Sequence, residues 1–347
     1  MRTPADSLPG IDLAKALASQ VILWHHFALY GPMSAAVAPM GGAFWDWLAG
    51  PLRWAVQIFL VTAGYLAGRS LLPAPWAPRP SGGAARWRQR LGQRTLRLGQ
   101  PFWLAMLVAI GAAALARALI TDADTPAAPT AVQVLAHLLF LQDIVGQTAL
   151  SAGVWYVAID WQLYALMATL VAVLGTGWSA AATVAGLTVL SIFWFNRVDS
   201  GDVWATYFMA AYGLGMMAWW VSALRASRWP GVLLIAVLVL AGLFIEWRPR
   251  LALAGLMACW LALGGAALPQ VGSHLQTAVA ALARWSYAVF LLHYPVVLAI
   301  GAVIAWRWPG QVLPAVAGLM ASWALSLALG AALTEWLAYR TSAQGKP

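Results

Sequence analysis

The chain has 347 residues, 62% of them hydrophobic and only 9% charged, with a mean hydropathy of +0.76 and a formal net charge of +9. A soluble domain carries about 25% charged residues, so the composition excludes a soluble enzyme and implies an integral membrane protein. The single cysteine, Cys259, lies in an apolar run, which excludes an intramolecular disulfide and a Cys-rich centre, and no metal site is expected.

The first expected span, 11–33, carries the most telling pair of residues, Lys15 and His26. Charged and titratable groups are costly inside a bilayer, so a functional role is the default hypothesis for them. Eleven residues is close to three helical turns, about 20° off register. Lys15, Ser19, Ile22 and His26 therefore share one stripe, whereas His25 is rotated about 80° away. Along the axis Lys15 and His26 are roughly 16 Å apart. Asp6, Asp12 and Lys15 interrupt the N-terminal run, and the apolar stretch continues past Ala18-Ser19, so no signal peptide is expected.

Pro39-Met-Gly-Gly42 reads as a break before a second span, 52–72, which ends near Arg69. Next comes the basic segment 73–98, with a Pro-rich start and Arg79, Arg86, Arg88, Arg90, Arg94 and Arg97. Its end, Ala84 to Arg97, is expected to form an amphipathic helix in the membrane interface. Two readings of the arginines stand together: the positive-inside rule, and contacts to a phosphorylated ligand. The basic residues flank apolar helices without a nucleic-acid motif, so no nucleic-acid partner is expected.

Spans are then expected at 99–120, 154–175, 178–195, 204–221, 231–246, 250–268, 284–305 and 312–336. The expected fold is all-α, a polytopic membrane bundle of about ten transmembrane helices. Lys and Arg placement puts both termini and the 73–98 segment in the cytoplasm, with Arg53, Arg117, Arg197, Arg248, Arg250 and Arg307 as outer-side exceptions. The whole chain, 1–347, reads as a single membrane-embedded domain with no appended soluble domain.

Two later spans carry polar residues. In Trp155-Tyr-Val-Ala-Ile-Asp160-Trp-Gln-Leu-Tyr164, Asp160 and Tyr164 are i,i+4 and share a face. Counted from the outer surface, Asp160 lies roughly 9 Å deep and His26 roughly 10 Å. Equal depth suggests that the Asp160 carboxylate orients the His26 imidazole, as in triads. An imidazole with an unperturbed pKa of about 6.5 suits a general base toward a hydroxyl. The alternatives are structural: Lys15 snorkelling, His26 bonding a neighbouring helix, and Asp160 pairing with an Arg or His elsewhere. Ser286-Tyr-Ala-Val-Phe-Leu-Leu-His293-Tyr-Pro295 places another histidine near mid-membrane, with either a structural or a catalytic reading.

Taken together, these segments resemble the acyltransferase-3 family of membrane O-acyltransferases. Ile11-Asp12-Leu-Ala-Lys15 through His26 resembles that family's Arg-x10-His helix, with Lys in place of Arg. Phe59 to Leu66, Arg94-Thr-Leu-Arg97 with Pro101, Trp155 to Tyr164 with Asp160 in place of Glu, and Ser286 to Pro295 resemble its later motifs in the same order. The resemblance implies acyl transfer from cytoplasmic acyl-coenzyme A, acetyl-CoA above all, to a hydroxyl of an envelope glycan or glycolipid. It implies a multi-pass protein of the bacterial inner membrane. His26 would be base or transient acyl carrier, with Lys15 and Asp160 also in the catalytic set. Arg69, Arg94, Arg97, His25, Trp155, Tyr164 and His293 would bind substrate or donor. Lys15 remains a point-charge phosphate binder but lacks the planar fork of Arg. The rival readings are a proton-coupled transporter or flippase of an envelope precursor, and a non-catalytic assembly partner.

Overall fold

A computed structural model describes residues 8–72, 83–175, 177–267 and 272–344. Among them the chain forms helices and no strand. In order they are α1 (Pro9–Leu29), α2 (Gly31–Ala49), α3 (Val56–Leu71), α4 (Gly83–Leu119), α5 (Ala131–Leu138), α6 (Val154–Leu174), α7 (Trp178–Phe193), α8 (Ala205–Ser222), α9 (Trp229–Ile245), α10 (Pro249–Ala262), α11 (Ser273–Arg307) and α12 (Val312–Gln344).

Helices cover all ten expected segments. Among the described residues, five stretches are both long and apolar enough to cross a bilayer: Ala85–Leu119, Val154–Leu174, Trp178–Arg197, His274–Arg307 and Val312–Ala343. α9 and α10 are apolar but shorter. α3, at 16 residues, also falls short of the roughly 20 that a perpendicular span requires. Three features differ from the sequence reading. Helix lies on both sides of the stretch read as a break: α2 passes Pro39 but leaves helical geometry at Gly42, whose φ of +48° favours glycine, so the break is confined to that residue. The basic segment from Gly83 runs unbroken into the apolar part of α4, as one helix of 37 residues rather than a separate interfacial helix. The capped helix α5 was not anticipated. Residues 73–82 of the basic segment, Arg79 included, lie outside the described residues.

The chain divides into two compact units. Unit 1 comprises the described residues up to Lys15, with Trp54–Leu96 and Val157–Gln276; unit 2 comprises Ala16–Arg53, Arg97–Tyr156 and the described residues from Thr277. In unit 1 α3 and α8 pack closely. A β-carbon at Gly64 would strike the Tyr212 backbone, and one at Gly215 would strike the Val61 carbonyl. Small residues let two backbones approach where lipid supplies no hydrophobic drive. Ser191 of α7 is bonded to α8: its hydroxyl donates to Thr206 and Tyr207 carbonyls and accepts from the Ala210 N–H. At the α9–α10 connection Arg248 is buried, donating to Asn196 Oδ1 and the Ile192 carbonyl at 2.9 Å each.

Unit 2 has a core of Leu23, Phe27, Met33, Trp45, Val297 and Ala302 with their neighbours. The α2 amino terminus is held by Gly31 N–H donating to Asp124 Oδ2 at 2.8 Å. A capping box starts α5: Thr130 Oγ1 accepts from Gln133 N–H while Gln133 Oε1 accepts from Thr130 N–H. His137 closes the segment after α5. Its Nδ1–H donates to the Gln133 carbonyl and its Nε2 accepts from Leu150 N–H. Burial lowers the His137 pKa from 6.5, because the charged ring loses its hydration.

Candidate functional site

Unit 2 gathers three of the expected site residues around one buried histidine pair. α1 runs unbroken from Pro9 to Leu29, so Lys15 and His26 do occupy one helix at the eleven-residue spacing. Near its carboxyl end His25 and His26 are both buried. α11 continues through Pro295 and buries His293 completely. His26 Nδ1 lies 2.6 Å from His293 Nε2. The two rings are within 14° of coplanar with centroids 4.8 Å apart, so they meet edge to edge along a hydrogen bond rather than face to face. His293 Nδ1 lies 2.7 Å from the Phe290 carbonyl, one turn back on α11. His25 points elsewhere, with Nδ1 at 3.1 Å from the Leu48 carbonyl. The roughly 100° between successive helical residues separates the two neighbours: His25 bonds backbone and His26 bonds a side chain.

Aromatic rings continue outward from this pair. Phe290 lies beside His293 at 5.9 Å between centroids, Tyr156 meets Phe290 edge-on at 5.7 Å, and Trp155 follows Tyr156 at 6.3 Å. Gly153, at φ +81°, lies where a β-carbon would touch the Phe290 ring. Trp155 therefore belongs to the same aromatic neighbourhood as His293, though it does not touch the histidines. Arg97 is exposed on α4. The Tyr30 ring lies 5.7 Å from that of His26.

Unit 1 holds a second polar cluster. Arg94 Nη2 donates to Asp160 Oδ2 at 2.5 Å, and the guanidinium sits 5.0 Å above the Tyr164 ring. Two further bonds fasten the basic segment of α4 to α6: Trp161 Nε1–H to Thr95 Oγ1 at 2.9 Å, and Trp87 Nε1–H to Thr169 Oγ1 at 3.0 Å. The sequence reading pairs Asp160 with His26 and assigns Arg94 to donor phosphates. In the structure the hydrogen-bond partner of Asp160 is Arg94, and that of His26 is His293. Lys15 and Arg69 are half-buried in the same unit.

Tyr212 of α8 was missed. It is fully buried, and its hydroxyl shares an electrostatic neighbourhood with Asp160, Arg94 and Tyr164. Asp160 Oδ1 and Tyr212 Oη are both buried without a hydrogen-bond partner among the described residues. An acceptor and a donor left over in one buried cluster suit a water or a polar ligand atom. The only sequence signal was a second tyrosine, after Tyr207, in a mostly apolar span.

A family model described as an acyltransferase domain matches residues 8–334. That range includes both histidines, the Arg94–Asp160 pair and every helix up to most of α12. No curated protein and no solved structure matches the chain.

Proposed function

We propose, because the chain belongs to the acyltransferase-3 family, that it moves an acyl group from acyl-coenzyme A to a hydroxyl of an envelope glycan or glycolipid. Acetyl is the group proposed. The observation that carries the reading is the buried His26–His293 pair, an imidazole held by a second imidazole as a base toward a hydroxyl could be.

His26 takes the proton of the acceptor hydroxyl as its oxygen attacks the thioester carbonyl carbon. The new C–O ester bond forms, the C–S bond breaks, and the departing thiolate of coenzyme A takes the proton back from His26. No net proton is consumed. Lys15, Arg69 and Arg97 are proposed contacts for the donor's phosphates, because charge-assisted bonds to phosphate are strong. Arg94 already has a carboxylate partner, and its proposed role is to hold α4 against α6. His25, Trp155 and Tyr164 are proposed to line the path of donor or acceptor.

We read the chain as one multi-pass domain of the bacterial inner membrane, of about ten spans, with both termini cytoplasmic. A single family model over 8–334 supports one domain, and the arginine clustering supports the orientation. Mass spectrometry of envelope glycans from cells with and without the protein tests the acceptor. The expected result is an O-acyl mass increment that disappears on deletion. An unchanged glycan and glycolipid profile would overturn the proposed acceptor class.

A further inference from the structure

We propose that His293 is a positioning residue: it fixes His26 as the Nδ1–H tautomer and so makes Nε2 the nitrogen that receives the acceptor's proton. The catalytic consequence rests on the acyl-transfer reading above; the tautomer rests on geometry alone.

The chain of donors starts at backbone. A carbonyl oxygen only accepts, so the 2.7 Å approach of His293 Nδ1 to the Phe290 carbonyl puts a hydrogen on that nitrogen. A neutral imidazole has one donor and one acceptor nitrogen. His293 Nε2 is therefore an acceptor, and His26 Nδ1, 2.6 Å away, must donate to it. His26 Nε2 is left with the lone pair. The reverse polarity would need a doubly protonated His293. That charge would sit in a fully buried position, and among the described residues no carboxylate bonds either ring. An unpaired buried charge is expensive.

The same bond serves both ends of the proton transfer. Before it, the tautomer leaves Nε2 bare. After it, the cationic His26 ring still donates Nδ1–H to His293, and a hydrogen bond from a charged donor is roughly twice as strong as a neutral one. The near-coplanar rings hold the Nε2 lone pair in one plane and one direction. His25 supplies an internal control. Its Nδ1–H donates straight to the Leu48 carbonyl, so its tautomer does not depend on His293.

Nitrogen NMR of the full-length protein in lipid nanodiscs, labelled with ¹⁵N-histidine, reads the tautomers directly. The chain has five histidines, assignable by single substitution. In wild type, His25 and His26 are both expected with protonated Nδ1 and bare Nε2. In His293→Leu, His26 is expected to lose that preference while His25 keeps it. In His293→Gln, whose amide oxygen can accept, the wild-type tautomer is expected to persist. For acyl transfer, His293→Leu should lower kcat by about 10²-fold with donor KM unchanged, and His293→Gln should restore most of the loss. A hydrogen on His26 Nε2 in wild type would overturn the proposal, as would an unchanged His26 tautomer in folded His293→Leu. If the leucine variant does not fold, the wild-type and glutamine spectra still decide. Absence of acyl transfer by wild type would sink the functional reading and leave the tautomer result standing by itself.

Discussion

Each unit holds a polar side-chain pair at its candidate site, and the two pairs differ in kind. In unit 1 a guanidinium meets a carboxylate, Arg94 with Asp160. In unit 2 two neutral imidazoles meet, His26 with His293. An ion pair in low dielectric is costly to break, because removal of one partner strands the other charge. It holds helices and does not readily release a proton. A neutral histidine pair has no stranded charge, and each ring keeps one donor and one acceptor nitrogen. The contrast assigns bracing of α4 on α6 to the first pair and reactivity to the second.

The contrast can be broken at its strongest point. His26→Ala should lower the acyl-transfer rate by about 10²–10⁴-fold, the usual contribution of a general base, at unchanged membrane levels of protein. The check is a rate measurement at matched protein amounts. Arg94→Ala should do the opposite: destabilise the fold first. Loss of one partner of a buried pair costs about 3–5 kcal/mol, and the 19% exposure of the Arg94 side chain puts the effect at the low end. Arg94→Met with Asp160→Leu together should be less damaging than either alone. Unfolding in detergent of the two single variants and the double variant measures this, and equal additive losses would remove the bracing role.

Smaller effects sharpen the comparison. Gly64→Ala should destabilise unit 1 by about 1–3 kcal/mol through overpacking against the Tyr212 backbone, read in the same unfolding assay. His25→Ala removes one hydrogen bond to a carbonyl, worth about 1 kcal/mol. Its rate should stay within about tenfold of wild type, far above that of His26→Ala. The smallest effect concerns His137. Its folded pKa is depressed by burial below the 6.5 of the free ring. Above 6.5 the ring is neutral in both states and pH has no effect through it. As pH falls below 6.5 the unfolded form takes a proton that the folded form resists, so stability is lost. Hydrogen exchange over 139–150 should therefore quicken between pH 7 and 5, and His137→Asn should flatten that response.

Much of this was legible in the sequence, and the rest was hidden for identifiable reasons. The apolar runs marked the five long apolar helices, since about 20 apolar residues have one common use. Lys15 and His26 on one helix followed from the 3.6-residue repeat. Partners did not follow, because depth estimates leave rotation about the helix axis and neighbour choice open. Asp160 was matched to His26 on depth, yet its partner is Arg94, reached because the basic segment of α4 continues as helix instead of bending into the interface. α2 was hidden by Pro39-Met-Gly-Gly42, which reads as a break several residues long, although the loss of helical geometry is confined to Gly42 and helix continues on both sides. Tyr212 carried no pattern at all, because its significance lies in what surrounds its hydroxyl.

The central claim is that His26 is the base of an acyl transfer from acyl-coenzyme A. The most direct measurement is release of free coenzyme A thiol from acetyl-CoA by purified protein in lipid nanodiscs with an added envelope glycan fraction, for wild type and His26→Ala. The expected result is acceptor-dependent thiol release by wild type and a rate at least about 10²-fold lower for His26→Ala. Equal rates for the two proteins would contradict it.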